Sequence, residues 1–208
     1  MTQRLILAST SRYRAALLSR LGIPFETEPP GVDEQASDGE PPRDRAVRLA
    51  RAKALAVAAR HPEAWVLGSD QLAVRGTEVL GKPGDPAACE EQLLSSSGKP
   101  VVFLTAACLM RASGNRCLEH VDTTLVQFRT LSRAEVRRYV DIEHPLDCAG
   151  GFKCEGLGIA LFESIDSRDP TALIGLPMIW VADALRRAGL DPLGVANSGG
   201  ELADDAID

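Results

Sequence analysis

The sequence predicts an α/β protein in which a mixed β-sheet is flanked by helices. Two observations carry that class. Short apolar runs of strand length, bounded by Gly, Pro and polar clusters, recur along the chain, and segments with helical spacing lie between them. The two kinds of segment do not strictly alternate, and two long apolar runs follow each other across a short turn. Such a pattern mixes parallel with antiparallel neighbours.

The elements follow in order. Leu5-Ile6-Leu7-Ala8 is a first buried strand, and Ser9-Thr10-Ser11 is a polar cluster suited to capping a helix. That helix spans Arg12 to Leu21, with Leu17, Leu18 and Leu21 at helical spacing and Gly22 as its stop. Residues 28–42, rich in Pro, Gly and acid, form a loop. Asp44 to Arg60 is the clearest helix, because Val47, Ala50, Ala54 and Val57 share a face. A strand starts at Trp65 and ends at Asp70, and a hairpin turns at Arg75-Gly76-Thr77. Ala87 to Leu94 is helical and is broken by Ser96-Ser97-Gly98. Val101 to Met110 and Val121 to Phe128 are long strands joined at Ser113-Gly114-Asn115. Ser132-Arg133-Ala134-Glu135 is a capping box opening a helix to about Ile142. Ile159 to Ile165 is another strand, and Pro177 to Ala188 a last helix. The expected organisation is one domain over residues 1–190 and a polar, acidic, Gly-rich tail over 191–208.

Composition narrows the function. With 208 residues, 45% hydrophobic and 25% charged, the chain has the balance of a soluble globular domain large enough to need no staples. Its net charge of −6 argues against a general nucleic-acid or anionic-membrane binder, whose affinity rests on a basic surface. A local cluster of Lys and Arg still suffices for a small anionic substrate. The longest apolar stretch, Val101 to Met110, is too short to span a bilayer. Five cysteines without a C-x-x-C pair, and histidines at no ligand spacing from them, point to reduced thiols in the cytoplasm rather than a zinc site.

Several constellations can carry chemistry. Asp70 stands where an apolar strand breaks into Gly68-Ser69-Asp70-Gln71. There a carboxylate holds a metal, takes a proton from water, or merely caps the strand's turn. Ser9, Thr10 and Ser11 present hydroxyls at a helix N-terminus, a natural phosphate cradle. Arginines in that first turn, Arg12 and Arg14, oppose the helix dipole unless an anion is near; solvated arginines after an N-cap are the plainer alternative. Asp33 and Glu34 are adjacent acids in a loop, Lys53 lies mid-helix, and Lys82 sits between Gly81 and Pro83. Together these supply acids for a divalent cation and cations for a polyphosphate. The run from Glu143 to Gly158 holds four glycines and a proline, a loop shaped for close approach. A His144–Cys148 nucleophile pair is conceivable there, but nothing in the sequence orients it.

The blocks LILASTSRYRAALLSRLGIPFE, VDE, RLARAKA, GSDQ, GKP, LSRAEVRRYV, HPLDCAGGFKCEGLG and LIGLPM, in that order, resemble the Maf family of nucleotide pyrophosphatases. The resemblance covers about Leu5 to Leu190. It implies an elongated mixed sheet with two lobes around a central cleft, similar to the inosine triphosphate pyrophosphatases, and a possible homodimer. It also implies hydrolysis of a nucleoside triphosphate between its α- and β-phosphates, with Mg²⁺ or Mn²⁺ as cofactor. By the same resemblance Asp70 is the proton acceptor and a metal ligand together with Glu34, while Ser9, Arg14, Lys53 and Lys82 hold phosphate.

Three further positions bear on the base. Family members acting on dTTP and UTP typically have Arg, a hydroxyl residue and Gln where this chain has Tyr13, Gln71 and Glu155. The combination found here is similar to the group acting on 7-methyl-GTP, although that group often has Trp at the first position. The chemistry is consistent: an aromatic face attracts a cationic purine. Glu155 can accept from the N1–H and exocyclic amine of guanine. The alternatives are packing for Tyr13 and a solvated acid for Glu155. At the level of activity they are a dTTP/UTP or broad-specificity pyrophosphatase, or a nucleotide-binding regulator of cell division with little turnover.

Overall fold

A computed structural model describes residues 3–194; the expected acidic tail lies almost wholly outside them. The α/β class stands. A seven-stranded sheet is built from β1 (Leu5–Ala8), β2 (Glu26–Thr27), β3 (Trp65–Arg75), β4 (Glu78–Leu80), β5 (Pro100–Arg111), β6 (Arg116–Phe128) and β7 (Phe162–Asp166). Five α-helices flank it: α1 (Arg12–Ser19), α2 (Pro42–Ala58), α3 (Pro86–Ser96), α4 (Arg133–Glu143) and α5 (Met178–Arg187). The strand order is β2-β1-β3-β5-β6-β7, with β4 also on β3. β2 and β3 run parallel to β1, and the other pairings are antiparallel.

Three clusters fill the interior. On one face of β1 and β3, Leu5, Leu7, Trp65 and Leu67 pack against Leu17 and Leu18 of α1 and Val181 and Leu185 of α5. On the other face, Ile6, Ala8 and Val66 pack against Ala50, Ala54 and Val57 of α2. Successive side chains of a strand point to opposite faces, so a strand covered on both sides is apolar throughout, as β1 is. The third cluster forms the other lobe. Phe103, Phe128, Phe152 and Phe162 pack edge to face, with centroids 4.7–5.8 Å apart, beneath Leu93 of α3 and Val136 and Val140 of α4.

The structure corrects four boundaries. β3 does not end at Asp70 but continues to Arg75, because β5 pairs with it from Val66 through Val74. β6 begins at Arg116, five residues before the first apolar residue that marked it. Leu157–Leu161 is 3₁₀ turn, so β7 starts only at Phe162. α2 begins at Pro42, where a proline fits the first helical turn without needing its missing N–H.

The extension of β3 matters most. Along one edge, β1 pairs with Trp65–Gly68 and β4 with Ala73–Arg75. Ser69, Asp70, Gln71 and Leu72 fall between them, with β5 on one side and, among the described residues, no strand on the other. The sheet therefore opens at Asp70, and a cleft of about 750 Å³ enters there between the lobes.

Candidate active site

Strand alternation divides β3 at the cleft. Asp70 faces α2, while Ser69 and Gln71 face the segment around Gly175. α2 approaches β3 closely because residue 68 is glycine: a Cβ there would lie 2.3 Å from the Ala50 carbonyl oxygen. That proximity brings Lys53 over the strand. Its Nζ lies 2.7 Å from Asp70 Oδ1 and 2.6 Å from Glu34 Oε1, with both Lys53 and Asp70 buried at 6% exposure. Removing an ammonium from water costs several kcal/mol unless it is paired and hydrogen-bonded, and here two carboxylates meet it.

Glu34 comes from the predicted loop, which α2 holds in place. Arg45 Nη2 donates to the Glu34 carbonyl at 2.9 Å, and Arg48 Nη2 donates to the Gln35 carbonyl at 2.9 Å. Arg48 also pairs with both oxygens of Glu40, at 2.6 and 2.8 Å. Burial pushes the Glu34 carboxyl up, but the Lys53 hydrogen bond and the charges of Lys53, Lys82 and Arg14 outweigh it and hold it below its ordinary value.

After β1, two serine hydroxyls accept from backbone N–H groups. Ser9 is buried and its Oγ accepts from Ser11 N–H at 3.1 Å; Ser11 Oγ caps α1 by accepting from Arg14 N–H at 3.4 Å. No acid stands in the first turn of α1, where Arg12 and Arg14 sit instead. Arg14 Nε donates to the Gly175 carbonyl at 3.0 Å, and Ser69 Oγ donates to the same oxygen at 3.0 Å. Burial lowers the Arg14 guanidinium from its ordinary value, while the Asp70 and Glu34 carboxylates work against that shift.

Tyr13 and Glu155 line the same cleft, as do Asp147 and Cys148, whose Sγ lies 3.9 Å from the Tyr13 hydroxyl. The Arg12 guanidinium carbon lies 4.9 Å from the Tyr13 ring centroid, and Arg12 Nη2 donates to the Tyr13 hydroxyl at 2.8 Å. Gln71 is committed differently: its amide NH₂ donates to Thr105 Oγ1 at 2.9 Å and to the carbonyls of Ala172 and Leu173 at 2.9 and 3.1 Å. Only its Oε1 is left to meet a ligand. His144 caps α4 in a left-handed conformation, φ 46°, and does not meet Cys148. Burial pushes the Cys148 thiol up to about 12, so it is no thiolate nucleophile at neutral pH.

All nine sequence-predicted residues thus line one cleft: Ser9, Tyr13, Arg14, Glu34, Lys53, Asp70, Gln71, Lys82 and Glu155. Residues 4–188 match the family described as Maf-like protein. The chain belongs to the Maf family. Among its relatives, a 7-methyl-GTP pyrophosphatase of Xanthomonas oryzae pv. oryzae is 56% identical over 189 residues, covering 91% of this chain and 98% of that one. Proteins of the same description from Pseudomonas putida and Alcanivorax borkumensis are 50% and 48% identical, covering 89% and 91% of this chain and 97% and 96% of theirs. A solved structure, the Staphylococcus aureus Ham1 protein, aligns with TM-score 0.45 at 14% identity, over 62% of this chain and 73% of that one.

Sequence reasoning missed Arg45, Ser69 and Gly175. Arg45 reaches the backbone carbonyl of Glu34 and Gly175 offers its own carbonyl, and contacts to backbone atoms leave no paired side-chain motif to find. Ser69 was visible in the GSDQ block, but its bond to Gly175 spans 106 positions.

Proposed function

We propose that this Maf protein hydrolyses 7-methyl-GTP to 7-methyl-GMP and pyrophosphate. The observation that carries the base assignment is the stack of Arg12 on Tyr13. A planar cation already occupies that aromatic face, and the Asp147 and Glu155 carboxylates line the same cleft. A purine made cationic by N7-methylation is likewise planar and positively charged, and Glu155 can accept from its N1–H and amine. The names of the relatives favour the same substrate.

The cations gathered around Glu34 and Asp70 support phosphate. Arg14, Lys53 and Lys82 bring positive charge to the line a triphosphate would take past Ser9. Lys53 engages one oxygen of Asp70 and one of Glu34, and the second oxygen of each carboxylate has no hydrogen-bond partner among the described residues. Two carboxylates beside substrate phosphates are the hard donor set that suits Mg²⁺ or Mn²⁺. Held by Glu34 and Asp70, such a cation would neutralise phosphate charge and acidify bound water.

Asp70 accepts the proton of a water that attacks the α-phosphorus. The bond from that phosphorus to the bridging oxygen breaks, and pyrophosphate leaves into the cationic group. Gln71, its NH₂ held by the Ala172 and Leu173 carbonyls, keeps its Oε1 for the base. The enzyme acts in the cytoplasm, where its five free cysteines stay reduced. The test is Asp70→Asn with products identified: monophosphate and pyrophosphate from wild type, and nearly none from the variant at unchanged fold. Wild-type-like turnover by the variant would refute the role of Asp70, and diphosphate with phosphate would refute the bond assigned.

A further inference from the structure

We infer that Cys108, Cys117 and Glu119 form a second, separate metal site that takes a borderline-soft divalent cation such as Zn²⁺. The three lie on the sheet face beneath α2, with their ligand atoms all within 4.8 Å of one another. The hairpin register assembles them. Glu119 pairs directly with Cys108, and Cys117 pairs with Met110, so the two cysteines are diagonal neighbours on one face. Their sulfurs stand 3.6 Å apart.

That separation discriminates between two fates of a thiol pair. A disulfide needs about 2.05 Å between sulfurs, and diagonal neighbours, with Cα atoms roughly 7–8 Å apart, sit at the limit of its reach. Two thiolates on a tetrahedral Zn²⁺, with bonds of about 2.3 Å, have their sulfurs about 3.8 Å apart. The observed pair needs little movement to meet the second geometry. Glu119 offers a third, oxygen ligand, and water completes the shell.

Access and chemistry are in keeping with this. Cys108 is buried while Cys117 is exposed, so an ion enters from solvent on the Cys117 side. Burial pushes the Cys108 thiol up, so it is protonated at neutral pH, and the incoming ion displaces the thiol protons to solvent. Arg51 of α2 holds Glu119 through both carboxylate oxygens and is the competitor the ion must displace. Ligand spacing in the sequence gives no sign of this site, because the nine-residue separation becomes a contact only through the register of β5 on β6.

The experiment is a Cd²⁺ titration of the reduced full chain in saturating Mg²⁺, which occupies hard oxygen sites. The ultraviolet charge-transfer band of cadmium thiolate reports sulfur ligation. Wild type is expected to bind one equivalent with that band and to release it to Zn²⁺. Cys117→Ser, an exposed change that leaves the core intact, is expected to lose the band and weaken binding at least roughly tenfold. A control Cys148→Ser, Cys154→Ser variant is expected to keep it. A band that survives Cys117→Ser, or one that disappears only in the control, would overturn the site.

Discussion

Replacing Gly68 with Ala tests how the fold positions the Asp70 carboxylate. The added Cβ would stand 2.3 Å from the Ala50 carbonyl oxygen, 2.6 Å from Ala54 N and 2.9 Å from Ala54 Cβ. Two of those atoms are helix backbone, which cannot rotate aside. To restore an ordinary contact of 3.4 Å to the Ala50 oxygen, α2 must withdraw from β3 by about 1 Å. Lys53 lies in the same turn as Ala50 and Ala54, so its 2.7 Å bond to Asp70 is strained by the same movement. Overpacking of this kind costs about 1–3 kcal/mol, and a misplacement of about 1 Å at a reacting centre costs about 10²-fold in rate. Denaturant unfolding and steady-state pyrophosphate release measure the two effects. Gly81→Ala is the control, because its Cβ would meet nothing within 4 Å and its stability is expected to stay within about 0.5 kcal/mol. Gly68→Ala with wild-type stability and turnover would refute the close approach as the device that sets the site.

Three further predictions bear on other parts of the cleft. Lys53→Met leaves the buried Asp70 carboxylate without its partner and is expected to cost about 3–5 kcal/mol by denaturant unfolding. The double variant Lys53→Met, Asp70→Asn should recover part of that loss, and no recovery would argue against the pair as its source. Tyr13→Arg combined with Glu155→Gln is expected to shift preference from 7-methyl-GTP toward dTTP and UTP, read as the ratio of kcat/KM; an unchanged ratio would remove both residues from base reading. Glu40 is pulled down to about 2, chiefly by its hydrogen bonds to Arg48, from an ordinary value of 4.5. A lowered carboxyl stabilises the fold fully above its unfolded value and loses that contribution as pH falls between about 4.5 and 2. Glu40→Gln should flatten the stability profile in that window, and an identical acid limb would contradict the ion pair's role.

Local features were legible and assembled ones were not. The start of α4 is written in four residues, since Ser132 Oγ accepts from Glu135 N–H while Glu135 Oε2 accepts from Ser132 N–H. β3 is the opposite case. Gly68 and Asp70 are poor strand residues, and beyond Gly68, where β1 ends, pairing with β5 alone carries the strand through Asp70. Asp70 breaks the apolar pattern and so reads as a strand end, whereas it lies within the strand at a gap between two partners. The same limit applies to the site. Lys53 and Glu34 looked bland in isolation, and the family resemblance rather than spacing put them beside Asp70. Nothing in the sequence marks Gly68 as the residue that admits a helix backbone.

The most direct measurement of the proposed function is pyrophosphate release with Mg²⁺ from 7-methyl-GTP, GTP, dTTP, UTP and CTP at equal concentration. A cation on the Tyr13 face gains about 0.5–2 kcal/mol over a neutral base, so 7-methyl-GTP is expected to exceed GTP by about 2–30-fold in kcat/KM. The pyrimidine nucleotides should fall lower still, because they cannot match Glu155 with paired donors. Equal use of GTP, or a preference for dTTP or UTP, would contradict the base reader built on Tyr13 and Glu155.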